Sequence, residues 1–419
     1  MKMNLWTDEK DPALKKELNA FESFMYHTND GRMDVPAFCA TEYGQELARR
    51  LELRAEIQFD PFGERAMAYY RSLGVTKQLF DTEDFYTQWL LYSPEEPEPG
   101  KEYPLMIWNH GGSNSIQSEE TVVSFPRMLA KEGFLFMMAQ NTNPDNILRL
   151  IEEVNARIPV DRSRIYIGGF SQGASQAQGA VFHYPQVFAG LVTSGNDVFR
   201  PWDNFDERYT VEEYAAFHSM HMPVMQLAGE CEPFFYAPLN NWGHIIWNPK
   251  EKEQNPYDFG YCDSYFVPGR EPEKDPTRIH GTHRGKAGET LPGGVRMSSM
   301  YEPKDGEDFA AWMVQTLNIR LALQDVEPRD AGRCIAYLDT PDDELHHVNG
   351  VYADREEIRT IGGLKHYISG FTCREGWESY VWITVENTEH WPQVTLGELA
   401  WEYLKQFRRD PVTKKIVCA

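Results

Sequence analysis

Apolar and polar positions follow two different periods along this chain, and the changes of period mark its elements. From residue 10 to about residue 80, apolar residues recur three and four apart with charges between them, as in DPALKKELNAFESFMYHT and TEYGQELARRLELRAEIQF. That spacing predicts amphipathic helices. Their apolar stripes suit a helical apron on a main domain, or else a cap or oligomer contact. Residues 85–94, FYTQWLLYSP, and 104–110, PLMIWNH, are apolar runs of strand length. The acidic, Pro-rich stretch between them predicts an antiparallel entry hairpin.

From there the periods alternate. Strands are expected at 134–138, 164–167, 191–193 and 223–227, and helices at 122–132, 146–158 and 174–184. Strands alternating with helices predict an α/β fold, with a mostly parallel central sheet covered on both faces. Residues 233–300 break the rhythm with many Pro, Gly and aromatic residues, among them Phe234, Trp242, Trp247, Tyr257 and Phe266. A long irregular insertion of this kind is expected to be a lid over a substrate pocket or a structural excursion with its own small core. A helix at 307–322, added strands and loops over 333–373, a strand at 380–385 and an amphipathic helix at 396–407 complete the pattern. The implied division is a helical extension over 1–84, a core over 85–232, an insertion with extra strands over 233–374, and a returning core segment over 375–419.

Composition narrows the partners. With 41 basic and 64 acidic side chains in 419 residues the net charge is −23, a field that repels nucleic acid and anionic membranes. A small-molecule substrate remains. The six cysteines, at 39, 231, 262, 334, 373 and 418, form no close pairs, which favours reduced thiols over a disulfide framework or a zinc cluster. The first residues carry no apolar stretch of signal-peptide length, and no run approaches the roughly 20 apolar residues of a membrane span. A cytoplasmic protein is the expectation.

The chemistry centres on residues 164–176, RIYIGGFSQGASQ. A β-branched run, then Gly169-Phe170-Ser171-Gln172-Gly173, then small residues suited to a helix start, predict a nucleophile elbow that presents the Ser171 hydroxyl above the sheet. A serine hydroxyl needs a base, and the base needs a carboxylate to orient it. His390, in ENTEHWPQ between the last expected strand and the last helix, stands where the base belongs; His183, His346 and His347 sit less suitably. The acid is expected after the 223–227 strand, where GECEPF offers Glu232 and, as runner-up, Glu230. Oxyanion donors are expected from the backbone N–H groups of Gln172 and of Gly112, in the His110-Gly111-Gly112-Ser113 loop. His110, Phe170 and Trp391 are expected to touch substrate. His280 and His283, in IHGTHRG, lack the spacing of a helix-borne metal pair, and neither P-loop nor dinucleotide-binding spacing is present. No metal and no cofactor are expected.

Three stretches together resemble α/β-hydrolase esterases related to polyhydroxybutyrate depolymerases and feruloyl esterases: residues 159–195, the PLMIWNHGGS strand and loop, and His390-Trp391-Pro392 before an amphipathic helix. The resemblance covers roughly residues 85–230 and 375–408. It implies an α/β-hydrolase fold with Ser171 as nucleophile, His390 as base, Gly112 and Gln172 as oxyanion donors, and Glu232 where that family usually has aspartate. It implies a serine esterase working through an acyl-enzyme but does not name the substrate; the aromatic residues of the insertion suggest an aryl or acyl pocket, for feruloyl, cinnamoyl or acetylated carbohydrate esters, and a homo-oligomer is one option. Two rivals stand beside it: a peptidase of the prolyl-oligopeptidase kind, and a hydrolase-fold binding protein with a degenerate site.

Overall fold

In a computed structural model of the chain, the described residues are 64–112, 116, 123, 125–195, 211–229, 318, 321–330, 353–361, 364–385 and 396–418. The expected helices at 10–63, the insertion at 233–300, most of the 307–322 helix, and Glu230, Glu232, His280, His283, His346, His347, His390 and Trp391 lie outside them. The chain divides into two compact units, Glu42–Val198 with Thr210–Met225 and Pro392–Ala419, and Met1–Thr41 with Phe199–Tyr209 and Gln226–Trp391.

The unit containing Ser171 begins with helix α1 (Glu64–Ser72) and strands β1 (Val75–Phe80), β2 (Trp89–Pro94) and β3 (Tyr103–Asn109). Helix α2 (Phe125–Glu132), β4 (Leu135–Ala139), α3 (Pro144–Arg157), β5 (Val160–Phe170), α4 (Gln172–His183), β6 (Gly190–Ser194) and α5 (Val211–Met220) follow. After α6 (Leu396–Leu404), the short strands β11 (Phe407–Arg409) and β12 (Ile416–Cys418) pair with each other. The strand order runs β1-β2-β4-β3-β5-β6. Strands β4, β3, β5 and β6 are mutually parallel, while β2 runs antiparallel to β1 and β4. Every residue of β3 (YPLMIWN) and β4 (LFMMA) is buried, as expected of central strands covered on both faces. This is an α/β fold with the strand order of an α/β-hydrolase.

Both faces are covered, and the register shows by what. Tyr166 and Gly190 stand in one row of the sheet; Tyr166 meets Trp401 of α6 edge-on and the Cβ position of Gly190 abuts Leu404. Gly169, three residues along and so on the opposite face, lies against Gly173 and Ala174 of α4. Trp401 stacks on Phe134 at 4.0 Å and donates its indole N–H to Glu132 at 3.0 Å, which fixes α6 to the end of α2. Helix α3 shows how local sequence sets an element. Asn143 caps its N-terminus by accepting from the Asp145 N–H, Pro144 occupies the first turn, and Ile147, Leu150, Ile151 and Val154 form one buried stripe.

The other unit holds β8 (Arg355–Ile361), β9 (Leu364–Thr372) and β10 (Glu378–Val385), an antiparallel meander. Strand β7 (Val224–Gly229) begins in the Ser171 unit and ends in this one, where Gln226 accepts a hydrogen bond from Tyr380 at 2.8 Å. Among the described residues no helix is long and apolar enough to cross a membrane.

Several local expectations change. Residues 75–80 are a strand and not helix, because Gly74 ends α1 with φ 70 and a β-branched pair follows it. Residues 85–87 form a 3-10 turn and not the start of a strand, since Asp84 accepts from the Tyr86 N–H. The expected hairpin of the strands at 85–94 and 104–110 does not form. β2 pairs with β1 and β4, and β4 lies between β2 and β3, giving the wholly buried β3 a parallel partner on each edge. The closing helix stops at Leu404, and Phe407 already belongs to β11. Helix α5 and the β11–β12 pair carry no signal in the sequence reading.

Candidate active site

The sharp turn after β5 is built by steric necessity. Ser171 has φ 51 and ψ −116, a left-handed backbone that a residue with a side chain enters only under compulsion. Its N–H donates to the Ser194 carbonyl at 2.8 Å, and its own carbonyl accepts from Ala174 at 3.1 Å and Ser175 at 3.3 Å. One end of the residue is thereby tied to β6 and the other to the first turn of α4. The flanking glycines make the crossing possible. A Cβ on Gly169 would lie 2.8 Å from the Ala174 nitrogen and nearer still to the Gly173 carbonyl group; a Cβ on Gly173 would collide with the carbonyls of Asn109 and His110.

The loop after β3 comes to the same place. The Cβ position of Gly112 is 3.1 Å from Gln172 Oε1 and 3.7 Å from Gln172 Cβ, so the two residues expected to supply oxyanion donors are neighbours. The N–H groups of Gln172 and Gly173 precede the first intrahelical bond of α4, at the end where a helix is electropositive. A partial negative charge developing here would meet backbone dipoles already aligned.

Gln140, which the sequence reading passed over, anchors this loop. His110 has the Gly111 carbonyl at 2.8 Å from Nδ1 and the Gln140 carbonyl at 3.0 Å from Nε2, with the Gln140 side-chain amide also 3.2 Å from Nε2. The Gln140 Oε1 accepts from the Ile116 N–H at 3.2 Å. Both ring nitrogens of His110 are thus engaged within the protein, so the imidazole braces the loop. Gln140 is the first residue after β4, and its sequence signal is a single amide at the end of an apolar strand. Phe170, expected to touch substrate, is 4% exposed and lies within the sheet.

A further set of polar groups surrounds the elbow. Asn109, Gly169 and Thr193 share one row of the sheet, and Phe170 and Ser194 the next. Both side-chain polar atoms of Asn109, Thr193 Oγ1 and Ser194 Oγ are buried without a hydrogen-bond partner among the described residues. Orphaned buried polar groups are uncommon, and these concentrate where β3 and β6 end beside Ser171. Their signal is legible after the fact, in apolar strands that finish on WN and TS.

No protein-family model matches the chain, and no curated protein matches it. Solved structures with a similar fold include a thermostable esterase, 17% identical, with TM-score 0.30 over 38% of this chain and 48% of that one. Another is the feruloyl esterase module from Clostridium thermocellum complexed with sinapinate, 15% identical, with TM-score 0.30 over 37% of this chain and 66% of that one. A third is an acylaminoacyl peptidase from Pyrococcus horikoshii, 15% identical, with TM-score 0.29 over 39% of this chain and 33% of that one. In each case the match spans less than two thirds of the other protein.

Proposed function

We propose that this protein is a serine hydrolase that cleaves a carboxylic ester through an acyl-enzyme, with Ser171 as the nucleophile. The observation that carries the reading is the left-handed Ser171 between β5 and α4, with Gly112 set beside Gln172. Strained backbone at a strand-to-helix crossing, next to a glycine loop, suits a hydroxyl presented to a substrate carbonyl.

In this reading the Ser171 oxygen bonds to the carbonyl carbon while its proton passes to His390. The developing oxyanion takes hydrogen bonds from the backbone N–H groups of Gln172 and Gly112. The tetrahedral adduct collapses, the alcohol leaves with the proton from His390, and water repeats the sequence to release the acid and restore Ser171. Glu232, with Glu230 as runner-up, is the proposed carboxylate that holds the histidine in its working tautomer. The aromatic residues of the 233–300 segment support an aryl or acyl pocket, with cinnamoyl-type or acetylated carbohydrate esters as the substrate class.

A fluorophosphonate probe tests the nucleophile directly. It should label the native protein, and Ser171→Ala should abolish labelling and lower ester turnover by at least about a thousandfold; absence of labelling in the native protein would favour a binding protein on a hydrolase scaffold. Faster cleavage of aminoacyl anilides than of aryl esters would move the assignment to a peptidase.

A further inference from the structure

We infer that the Ser171 unit carries a second binding site, a pocket for a small organic oxyanion, at the opposite end of β5 from the elbow. It is a cavity of about 220 Å³ where the start of β5 meets the β11–β12 pair. Ser163, on its wall, is eight residues from Ser171, on the order of 25 Å along an extended strand. The inference is independent of the hydrolase reading.

Charge is the first argument. Among the described residues the lining includes three cations, Arg162, Arg409 and Lys414, and no carboxylate, the nearby Asp161 being taken up by Ser163 and Arg164, each at 2.6 Å, in a chain whose net charge is −23. Their charges are unequally compensated. Arg162 is held by both oxygens of Glu152, each at 2.6 Å. Arg409 has no such partner. At 3% exposure it is almost wholly buried, and its terminal nitrogens donate to the carbonyls of Pro185, Phe188 and Lys414 and touch the Met220 sulfur. Its Nε has no hydrogen-bond partner among the described residues. The neighbouring carboxylate, Asp410, accepts instead from the Val412 and Thr413 N–H groups and the Thr413 hydroxyl. Carbonyl dipoles orient a buried guanidinium without neutralising it, and burial lowers the Arg409 pKa to about 10. Lys414 is exposed, forms no ion pair among the described residues, and sits with φ 62 at the tight turn between β11 and β12.

The second argument is the chemistry of the walls. Lys414 Nζ and Arg409 Nε, on two cations without a carboxylate partner among the described residues, provide donors for an oxyanion, the Ser163 hydroxyl being committed to Asp161 Oδ1 at 2.6 Å, and a concave patch of positive potential concentrates small anions even on an acidic protein. Ile165 and Val187 give the cavity an apolar side, which suits a ligand with a short apolar body behind its anionic head. A carboxylate and a phosphate share the head chemistry, and the walls accept either.

Calorimetric titration of the full chain with inorganic phosphate and, separately, with butyrate decides the matter, each against sodium chloride of matched ionic strength. At least one probe should bind with one site per chain; phosphate alone would mark a phosphate head group and butyrate alone a carboxylate. Lys414→Glu, at an exposed turn where folding is not at risk, should weaken that binding by about tenfold or more, the loss of one charge-assisted hydrogen bond. Arg409→Gln should abolish it if the variant folds. Binding of neither probe above the chloride control, or wild-type affinity in Lys414→Glu, overturns the inference.

Discussion

At the scale of single residues, the elbow depends on what is missing from two side chains. Gly169 faces Gly173 and Ala174, and Gly173 faces the Asn109 and His110 carbonyls, each with no room for a methyl group. Gly169→Ala or Gly173→Ala should therefore destabilise the protein by about 1 to 3 kcal/mol, the range for forcing extra atoms into a packed interior. Urea unfolding would measure it, and a change below about 0.5 kcal/mol would show that the turn can relax. Gln140 acts one step removed. It holds His110 and the Ile116 N–H, so Gln140→Ala should leave the fold intact and lower kcat toward an aryl ester by roughly tenfold to a hundredfold, by letting the Gly112 loop drift. A rise in KM with kcat unchanged would instead assign Gln140 to substrate binding. The glycines and the serine were legible in the sequence because their chemistry demands those residue types at fixed spacing. Gln140 and Asn109 were not, since an amide at a strand end acquires meaning only from what lies across the sheet.

At the scale of elements, the last helix is fixed to its unit by one large side chain. Trp401 stacks on Phe134, meets Tyr166 edge-on and donates to Glu132, while Lys405 pairs with the same carboxylate at 3.0 Å. Trp401→Ala should cost about 3 to 5 kcal/mol, the usual range for removing a packed aromatic, and Lys405→Ala should cost at most about 1 kcal/mol because that pair is half exposed. Equal costs, read from the same unfolding curves, would mean that α6 is held by charge and not by packing. The amphipathic pattern predicted this helix well. Its end was misplaced because Phe407 continues the apolar spacing, whereas in the fold it belongs to β11, where its carbonyl accepts from the buried Tyr166 hydroxyl at 2.6 Å. The false hairpin of residues 85–94 and 104–110 has a similar origin. Strand neighbours in sequence are good candidates for pairing, but β4 competes for both edges, and a fully buried β3 gains more from two parallel partners than from one antiparallel one.

At the scale of the whole molecule, acid sensitivity follows from carboxylates held by cations. The hydrogen bond from Lys405 holds Glu132 below the usual carboxylate range, and that from Arg162 does the same for Glu152. Burial pushes Asp161 up, but hydrogen bonds from Ser163 and Arg164 outweigh it and leave the group lowered. A carboxylate whose folded pKa is depressed contributes stability above its unfolded value, and that contribution is lost as pH falls through the folded value. Thermal stability should accordingly be level from neutral pH down to about 5 and fall below about 4, near and under the unfolded carboxylate pKa; Glu132→Gln should flatten the acid slope, and an unchanged slope would mean that this pair contributes nothing. By itself the sequence determined the alternation of strands and helices, the crossing at Ser171 and the glycine loop that accompanies it, because local periodicity and the steric demands of a tight turn are written in consecutive residues. Only the tertiary structure decided the strand order, the placing of Gly112 beside Gln172, the bracing of His110 by Gln140, and the burial of Arg409 without a carboxylate. Each of these joins residues far apart in the chain, and their pairing is chosen by how well whole elements bury one another.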